Sequence, residues 1–284
     1  MAIFRKVLEE DSSSPFIARL FLGVLDIRGL LAMSQMDAFR RISEREFDKE
    51  YNPLFESLKA TKRSAEETIN LIYGHRKSVL NGNAIREYEG NYIVDEIIDD
   101  QLNQYFGNFL DEGVIAYKDC LQNFITNIYG FDIGFLFGKP KPFAKGIIRL
   151  RSEGNNTLAD YIESVRNEWS ENFIKLRNNR HGGWRLPRLE YELWASGIGR
   201  VKFLTVNGLL VENFTTIHAN RIFRFVEDII AYGFQQFYSS TIYLSEIPKE
   251  SQDPSCPKRF KTSAKGLGSD VPWDLVYQDE LDFI

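Results

Sequence analysis

The chain has 284 residues, of which 43% are hydrophobic and 14% aromatic, and it carries a formal net charge of −5 at pH 7. This length and apolar content allow one large domain or two small ones with a sizeable core. The acidic balance disfavours a protein that coats nucleic acid broadly, and two distant cysteines predict a reduced cytoplasmic protein without a disulfide framework or a zinc site.

The first predicted element is a helix over residues 14–33, because Ser-Pro at its start is typical of an N-cap and first helical position. Its apolar run raises the question of a membrane span. Arg19, Asp26 and Arg28 interrupt that run, and charges at a bilayer centre are costly. A buried helix is therefore expected, with no membrane association, and the acidic residues before it disfavour a signal peptide.

Residues 1–90 are predicted to form an N-terminal helical region. A second helical stretch is expected from Met36, with a break or restart at Pro53. A capping-box pattern that begins at Ser64 precedes further apolar positions at helical spacing. Residues 81–92 are predicted to be a loop, since they are rich in Asn and Gly.

Residues 91–248 are predicted to form a helical bundle. Apolar side chains recur at helical spacing over residues 95–129, 157–183 and 216–238. Gly130 is expected to end the first of these helices, and a Gly-Gly pair the second. The stretch from Phe131 to Pro142 is expected to be a connector with a basic, proline-containing turn.

A small β-hairpin is predicted near residues 189–212, inserted into the bundle. Asn207-Gly208 between two apolar runs is a strong hairpin signal, and residues 189–193 are a candidate third strand. Residues 249–284 are rich in Pro, Ser and charge and are predicted to be a mostly irregular C-terminal tail. The fold class expected is mainly α, a helical bundle with a small β-hairpin insertion.

The most informative stretch for function is residues 175–188. Five of its fourteen residues are Lys or Arg and none is acidic. Arg177 and His181 lie four residues apart on one helical face, which continues the apolar stripe of Trp169 and Phe173. A titratable His beside a fixed cation suits phosphodiester chemistry, although an Arg near a helix C-terminus also commonly caps carbonyl groups.

A helix that ends in Leu-Arg-Asn followed by His, inside a helical bundle, resembles the HEPN superfamily (higher eukaryotes and prokaryotes nucleotide-binding domains). Many of its members are metal-independent ribonucleases of toxin–antitoxin, abortive-infection and related defence systems. The family signature is an Arg, often followed by a polar residue, with four to six residues before a His. The resemblance matches Arg177, Asn178 and His181 to these positions. Three residues separate Arg177 from His181 here, and one residue fewer turns a helical side chain by about 100°.

The resemblance implies that the protein acts on RNA as a homodimer, because sites of this family form where two copies meet. His181 is then expected to take the ribose 2′-hydroxyl proton, Arg177 to stabilise charge on the phosphate and Asn178 to orient it. A cognate antitoxin or regulatory protein is an expected partner, and neither a metal nor a cofactor is expected. The remaining basic side chains are expected to bind the RNA backbone: Lys175, Arg180 and Arg185.

The sequence leaves a second interpretation open, in which the protein is a non-catalytic helical scaffold that binds an anionic ligand or a protein partner through residues 175–188. The acidic overall charge and the short Arg–His spacing favour this alternative. Glu227 is a candidate to neutralise Arg177, or else Glu227 and Asp228 are both solvated. Scattered histidines and the lack of paired Glu-x-x-His motifs disfavour zinc and di-metal sites.

Overall fold

The computed structural model describes residues 44–95, 97–130, 132–133, 138–193, 199–236, 242–254, 258–266 and 270–279. The helix expected over residues 14–33 lies outside this part of the chain, as does the start of the helical stretch expected from Met36. Within the described ranges, no helix is both long enough and apolar enough to cross a membrane.

The first helix, α1, covers Glu44–Leu80 and contains Pro53. The expected break at Pro53 is therefore wrong. Pro53 is exposed, so water can satisfy the carbonyl group that its missing N–H leaves without a partner. The opposite side of α1 is buried along its whole length, through side chains that include Leu54, Leu58, Ala65 and Ile72.

A hairpin follows α1, in which β1 (Ile85–Tyr88) pairs antiparallel with β2 (Asn91–Val94). The loop expected over residues 81–92 is wrong for this part. Glu89 and Gly90 form the turn with φ values of 51° and 77°, as a two-residue hairpin turn requires. Both strands are mostly exposed, so they lack the apolar alternation that marks a half-buried strand.

The helix predicted over residues 95–129 is present from Asp99. It consists of α2 (Asp99–Val114), a π-helical turn (Ile115–Cys120), α3 (Leu121–Phe124) and a second π-helical turn (Ile125–Tyr129). It ends at Gly130, which has a φ of 76°, as the sequence predicts. Side chains of α2 and α3 pack against α1 in the core, among them Leu102, Phe109 and Phe124.

Three further helices come next. They are α4 (Pro140–Ser152), α5 (Asn156–Val165) and α6 (Glu171–His181), and a π-helical turn (Arg166–Ser170) joins the last two. The start of α4 lies in the stretch expected to be a connector. Pro140 is its first helical residue, a position where the missing N–H costs nothing. The predicted end of α6 at Gly182 is confirmed.

The predicted Asn207-Gly208 hairpin is present, with β5 (Thr205–Val206) paired to β6 (Leu209–Leu210). The two turn residues have φ values of 51° and 82°. The candidate third strand, β3 (Tyr191–Leu193), does not extend this hairpin. It pairs instead with β4 (Gly199–Val201) in a separate two-stranded ladder.

Helix α7 (Val211–Gln235) follows β6 directly and is buried on almost every side. It starts five residues earlier than the apolar spacing predicts. Its aromatic and aliphatic side chains, such as Ile222, Phe225 and Phe234, contact one continuous hydrophobic core. That core also includes Phe47 and Leu54 of α1, so the described part of residues 1–90 shares its interior with the bundle at 91–248.

The C-terminal residues attach to the bundle. Strand β7 (Ile242–Glu246) pairs with β8 (Phe260–Ala264), with a 3₁₀ turn (Lys249–Ser251) between them. The backbone N–H of Trp273 donates to the Leu244 carbonyl at 2.7 Å, and the Trp273 side chain is buried. The stretch predicted to be an irregular tail thus contributes a strand and core side chains. The fold is mainly α, with small antiparallel hairpins, as expected.

Candidate functional site

The basic stretch meets α2 along one row of small and polar residues. Asn103, Gly107 and Asp111 are spaced four residues apart and so share one helical face. A Cβ at Gly107 would overlap the guanidinium group of Arg180. Glycine at this position therefore lets the Arg180 side chain lie flat against the α2 backbone. The Asn103 side chain accepts a hydrogen bond from the Leu186 N–H at 2.8 Å, which holds the segment after α6 in place.

Asp111 gathers three side chains of α6. Its Oδ1 accepts from Arg177 Nε at 2.9 Å and from His181 Nε2 at 2.9 Å. Its Oδ2 accepts from Arg180 Nη1 at 2.6 Å. Two guanidinium groups face one carboxylate, so the cluster keeps a net positive charge even when His181 is neutral.

The Asp111 carboxylate also determines which ring nitrogen of His181 carries the proton. An ionised Asp111 can only accept, so Nε2 of His181 carries the proton of that hydrogen bond. In the neutral ring, Nδ1 then has a lone pair directed away from Asp111. The His181 side chain is 53% exposed, against 25% for Asp111. A partly buried acid thus orients a solvent-accessible base, which is an arrangement that suits general-base chemistry.

Arg177 also interacts electrostatically with Tyr117. Burial raises the pKa of Tyr117 well above its usual value, and the charge of Arg177 opposes that shift. The Tyr117 hydroxyl is therefore protonated at neutral pH. On the outer side, Arg177 Nη1 donates to the Asn178 side chain at 3.4 Å, a long and weak contact.

The end of α6 turns the chain back toward α2. The N–H of Trp184 donates to the Asn179 carbonyl at 3.0 Å and the N–H of Gly183 to the Arg180 carbonyl at 2.9 Å. Gly183 has a φ of 99°. These two bonds and the left-handed glycine form a Schellman motif, which satisfies the last carbonyl groups of the helix and directs the residues that follow.

A groove of about 580 Å³ opens between α2 and this turn. Phe106 and Trp184 contribute its aromatic surface, and Arg180, His181 and Arg185 contribute its basic rim. Arg185 lies 3.6 Å from Asp100, and both side chains are largely exposed. The groove is therefore lined by aromatic, basic and polar side chains, with the acidic Asp100 beside Arg185, and it is open to solvent.

The six predicted site residues divide into two groups. Arg177, Arg180 and His181 converge on Asp111, and Arg185 lies at the same groove. Lys175 is exposed and lies about 200° around the helix from Arg177. Asn178 is exposed and its side chain contacts only Arg177 among the described hydrogen bonds. The structure does not bring Lys175 or Asn178 into the groove.

Asp111 was missed from the sequence, although a signal for it existed. Asn103, Gly107 and Asp111 form a row of small and polar residues that runs beside the buried stripe of Leu102, Phe106 and Phe109. Such a row on a largely buried helix indicates a close neighbour that supplies polar groups. The position of that neighbour depends on tertiary packing, so the partner itself could not be read from spacing.

The expectations for Glu227 and Asp228 are wrong. Both are buried, and both pair with Arg259, which is 4% exposed. Asp228 also accepts from the Tyr161 hydroxyl at 2.8 Å. Burial raises the pKa of Asp228, and the charges of Arg259 and Arg224 act in the opposite direction. Glu227 therefore neutralises a residue of the C-terminal region and does not contact Arg177.

The other two histidines, His75 and His218, are buried in the fold. His218 is buried and its Nδ1 donates to the Phe214 carbonyl at 2.9 Å. Burial lowers the pKa of His218 to about 4, so its ring is neutral at physiological pH. His75 is buried and contacts the Tyr191 hydroxyl at 3.0 Å. In the described part of the chain, no group of His, Cys, Asp and Glu side chains is arranged to hold a metal ion.

Comparisons with protein-family models, with curated proteins and with solved structures find no match to this chain.

Proposed function

We propose that the protein is a HEPN-like ribonuclease that cleaves RNA without a metal ion at the cluster of Asp111, Arg177 and His181. The observation that carries this proposal is the hydrogen bond from His181 Nε2 to Asp111 at 2.9 Å. It orients an exposed imidazole beside two guanidinium groups and at the rim of a groove. The resemblance of the Arg–Asn…His segment to the family signature supplies the reaction class.

The reaction is an internal transesterification. Nδ1 of the neutral His181 ring takes the proton of a ribose 2′-hydroxyl, and the 2′-oxygen forms a bond to phosphorus. The bond from phosphorus to the 5′-oxygen breaks, which leaves a 2′,3′-cyclic phosphate. The departing 5′-oxygen takes a proton from water, and His181 then returns its own extra proton to water. Arg177 and Arg180 stabilise the charge that develops on the phosphate oxygens.

The other basic and polar side chains near the cluster bind the RNA strand. Arg185 at the groove rim binds an adjacent phosphate, while Lys175 and Asn178 contribute only if RNA passes over the exposed face of α6. A second copy of the chain is expected to oppose this face and add its own Arg177 and His181. A defence or toxin–antitoxin role follows from the family resemblance, as does a regulatory protein partner.

One observation favours a non-catalytic alternative. Asp111 already accepts hydrogen bonds from Arg177, Arg180 and His181, so the cluster satisfies itself within one copy of the chain. On this alternative, the three contacts tie α6 to α2, and the positive charge that remains binds an anionic ligand or a protein partner.

Cleavage of a mixed RNA pool in EDTA separates the two proposals. The purified protein is compared with Arg177→Ala, His181→Ala and the matched control Arg188→Ala, an exposed base of the same segment that does not line the groove. Removal of a general base costs about 10²- to 10⁴-fold in rate. We expect that loss in His181→Ala, a loss of about 10²- to 10³-fold in Arg177→Ala because a charge-stabilising donor is removed, and no loss in the control.

Thermal unfolding of each variant completes this experiment. If the wild-type protein cuts nothing while Arg177→Ala and His181→Ala both lower the melting temperature, the cluster is structural and the protein is a binding scaffold. Cutting that survives His181→Ala contradicts the ribonuclease assignment.

A further inference from the structure

Two aromatic side chains, Phe106 and Trp184, line the groove beside the cluster. Phe106 lines the groove but is only 1% exposed. Trp184 is only partly buried, since it packs against the core and also lines the groove. Because the Schellman turn at Gly183 fixes the chain on the N-terminal side of Trp184, this indole has a defined position. Aromatic faces of this kind stack with nucleobases of any sequence.

The basic residues that line the groove suit a phosphate group. His181 and Arg185 both line the groove, and the Arg185 side chain is 74% exposed where it approaches Asp100 at 3.6 Å. An ion pair this exposed contributes little to stability. Arg185 can therefore leave Asp100 for a phosphate at small cost, whereas Arg180 is held by Asp111.

The size and openness of the groove limit what it can hold. Its volume of about 580 Å³ lies within the range of small-ligand sites. It can accommodate one nucleotide but not a helix of RNA, whose bases are stacked inside the duplex. The exposed amide of Gln104 at the edge offers both a donor and an acceptor to a base edge.

We propose that this groove binds a single unpaired nucleotide, with its base against Trp184 and its phosphate between His181 and Arg185. This inference rests on the proposed function and gives it a substrate class, single-stranded RNA. It also adds Trp184 as a residue that selects unpaired bases, a role that the Arg–His segment does not supply.

Isothermal titration calorimetry tests the subsite directly. The probes are adenosine 5′-monophosphate, inorganic phosphate and uncharged adenosine, each titrated into the full-length protein. Stacking on one aromatic side chain strengthens binding by about 10- to 100-fold. We expect adenosine 5′-monophosphate to bind tighter than inorganic phosphate by about that factor, and tighter than adenosine.

Two variants test which residue binds the base of the ligand and which binds its phosphate. Trp184→Leu should reduce the affinity for the monophosphate to that for inorganic phosphate. Arg185→Glu should weaken the monophosphate and leave adenosine unchanged, and this exposed substitution should not alter folding. Arg188→Ala is the matched control and should bind all three probes as the wild-type protein does.

The outcomes distinguish the subsite from the reaction. A monophosphate that binds no tighter than inorganic phosphate overturns the subsite, as does equal binding by wild type and Arg185→Glu. If RNA is cleaved but the monophosphate does not bind, the subsite alone is wrong. If the monophosphate binds as described but RNA is not cleaved, the subsite stands and the catalytic proposal fails.

Discussion

Asp111 is the residue on which the geometry of the cluster depends. It is a partly buried carboxylate that accepts hydrogen bonds from two guanidinium groups and an imidazole. Without its charge, Arg177 and Arg180 would face each other with no acid between them. The same side chain thus contributes to stability and to the orientation of His181.

Replacement of Asp111 by Asn is expected to lower the free energy of unfolding by about 1–2 kcal/mol, because charged hydrogen bonds are lost at a site that is partly exposed. Urea unfolding measures this loss. Asp100→Asn is the matched control on the same helix, since its side chain is 99% exposed, and it should change the value by less than about 0.5 kcal/mol. Equal effects of the two substitutions would mean that the Asp111 contacts contribute nothing.

His218 gives the folded protein a specific dependence on pH. Its ring packs against both Phe214 and Phe173, with centroid distances of 4.0 and 5.3 Å, and burial lowers its pKa from 6.5 to about 4. Between these two values the unfolded chain binds a proton at His218 that the folded protein does not. The free energy of unfolding should therefore fall by about 3 kcal/mol as the pH is lowered from 6.5 to 4.

Urea unfolding at several pH values tests this, with His218→Phe as the comparison. Phe has a ring of similar size and no proton to bind, so the variant should lose most of the slope between pH 4 and 6.5. If the variant and the wild-type protein have the same slope, other groups cause the pH dependence.

At the scale of elements, the turn after α6 directly follows the cluster residues of that helix and lines the groove. Gly183 ends the helix with a φ of 99°, a conformation that costs other residues about 1–2 kcal/mol. Gly183→Ala should lower the free energy of unfolding by that amount. Gly74→Ala inside the C-terminal half of α1 is the control, because a Cβ there meets nothing within 4 Å.

We expect the control substitution, Gly74→Ala, to change the free energy of unfolding in the opposite direction. Alanine is favoured over glycine inside a helix by about 1 kcal/mol, so Gly74→Ala should stabilise the protein. If both glycine variants shift the unfolding midpoint in the same direction, the left-handed turn is not what holds the end of α6.

Local signals predicted several elements correctly and failed at others for identifiable reasons. Asn207-Gly208 predicted its hairpin, and Gly130 and Gly182 predicted helix ends, because these residues act through their own backbone. The strands at 85–94 were missed because they are mostly exposed and lack alternation. Asp111 was missed because its function depends on α6, which is far away in sequence.

At the scale of the whole molecule, the C-terminal region is joined to the bundle by a buried charge cluster. Arg259 precedes β8 and contacts Glu227 and Asp228 of α7, as well as Glu246 of β7. Removing one member of a buried ion cluster leaves the others uncompensated. The cluster therefore ties the β7–β8 hairpin to α7.

Arg259→Ala is expected to lower the free energy of unfolding by about 3–5 kcal/mol, since the buried carboxylates of Glu227 and Asp228 both lose a buried cation and Arg224 remains only for Asp228. The matched control is Lys261→Ala, two residues further on in β8. Its ion pair with Asp270 is roughly half exposed and should contribute less than about 1 kcal/mol. Urea unfolding followed by circular dichroism gives both values. A loss for Arg259→Ala no greater than that for Lys261→Ala would show that the cluster does not hold the C-terminal region.

The measurement that tests the central claim most directly uses a single-stranded oligonucleotide that is RNA throughout, together with the same strand containing 2′-deoxyribose at every position. Both are incubated in EDTA with the wild-type protein and with His181→Ala, and the product ends are identified by mass spectrometry. We expect the wild-type protein to cut only the RNA and to leave 2′,3′-cyclic phosphate ends, and His181→Ala to cut neither strand. Cleavage of the deoxyribose strand, or unchanged cleavage of RNA by His181→Ala, would contradict the mechanism.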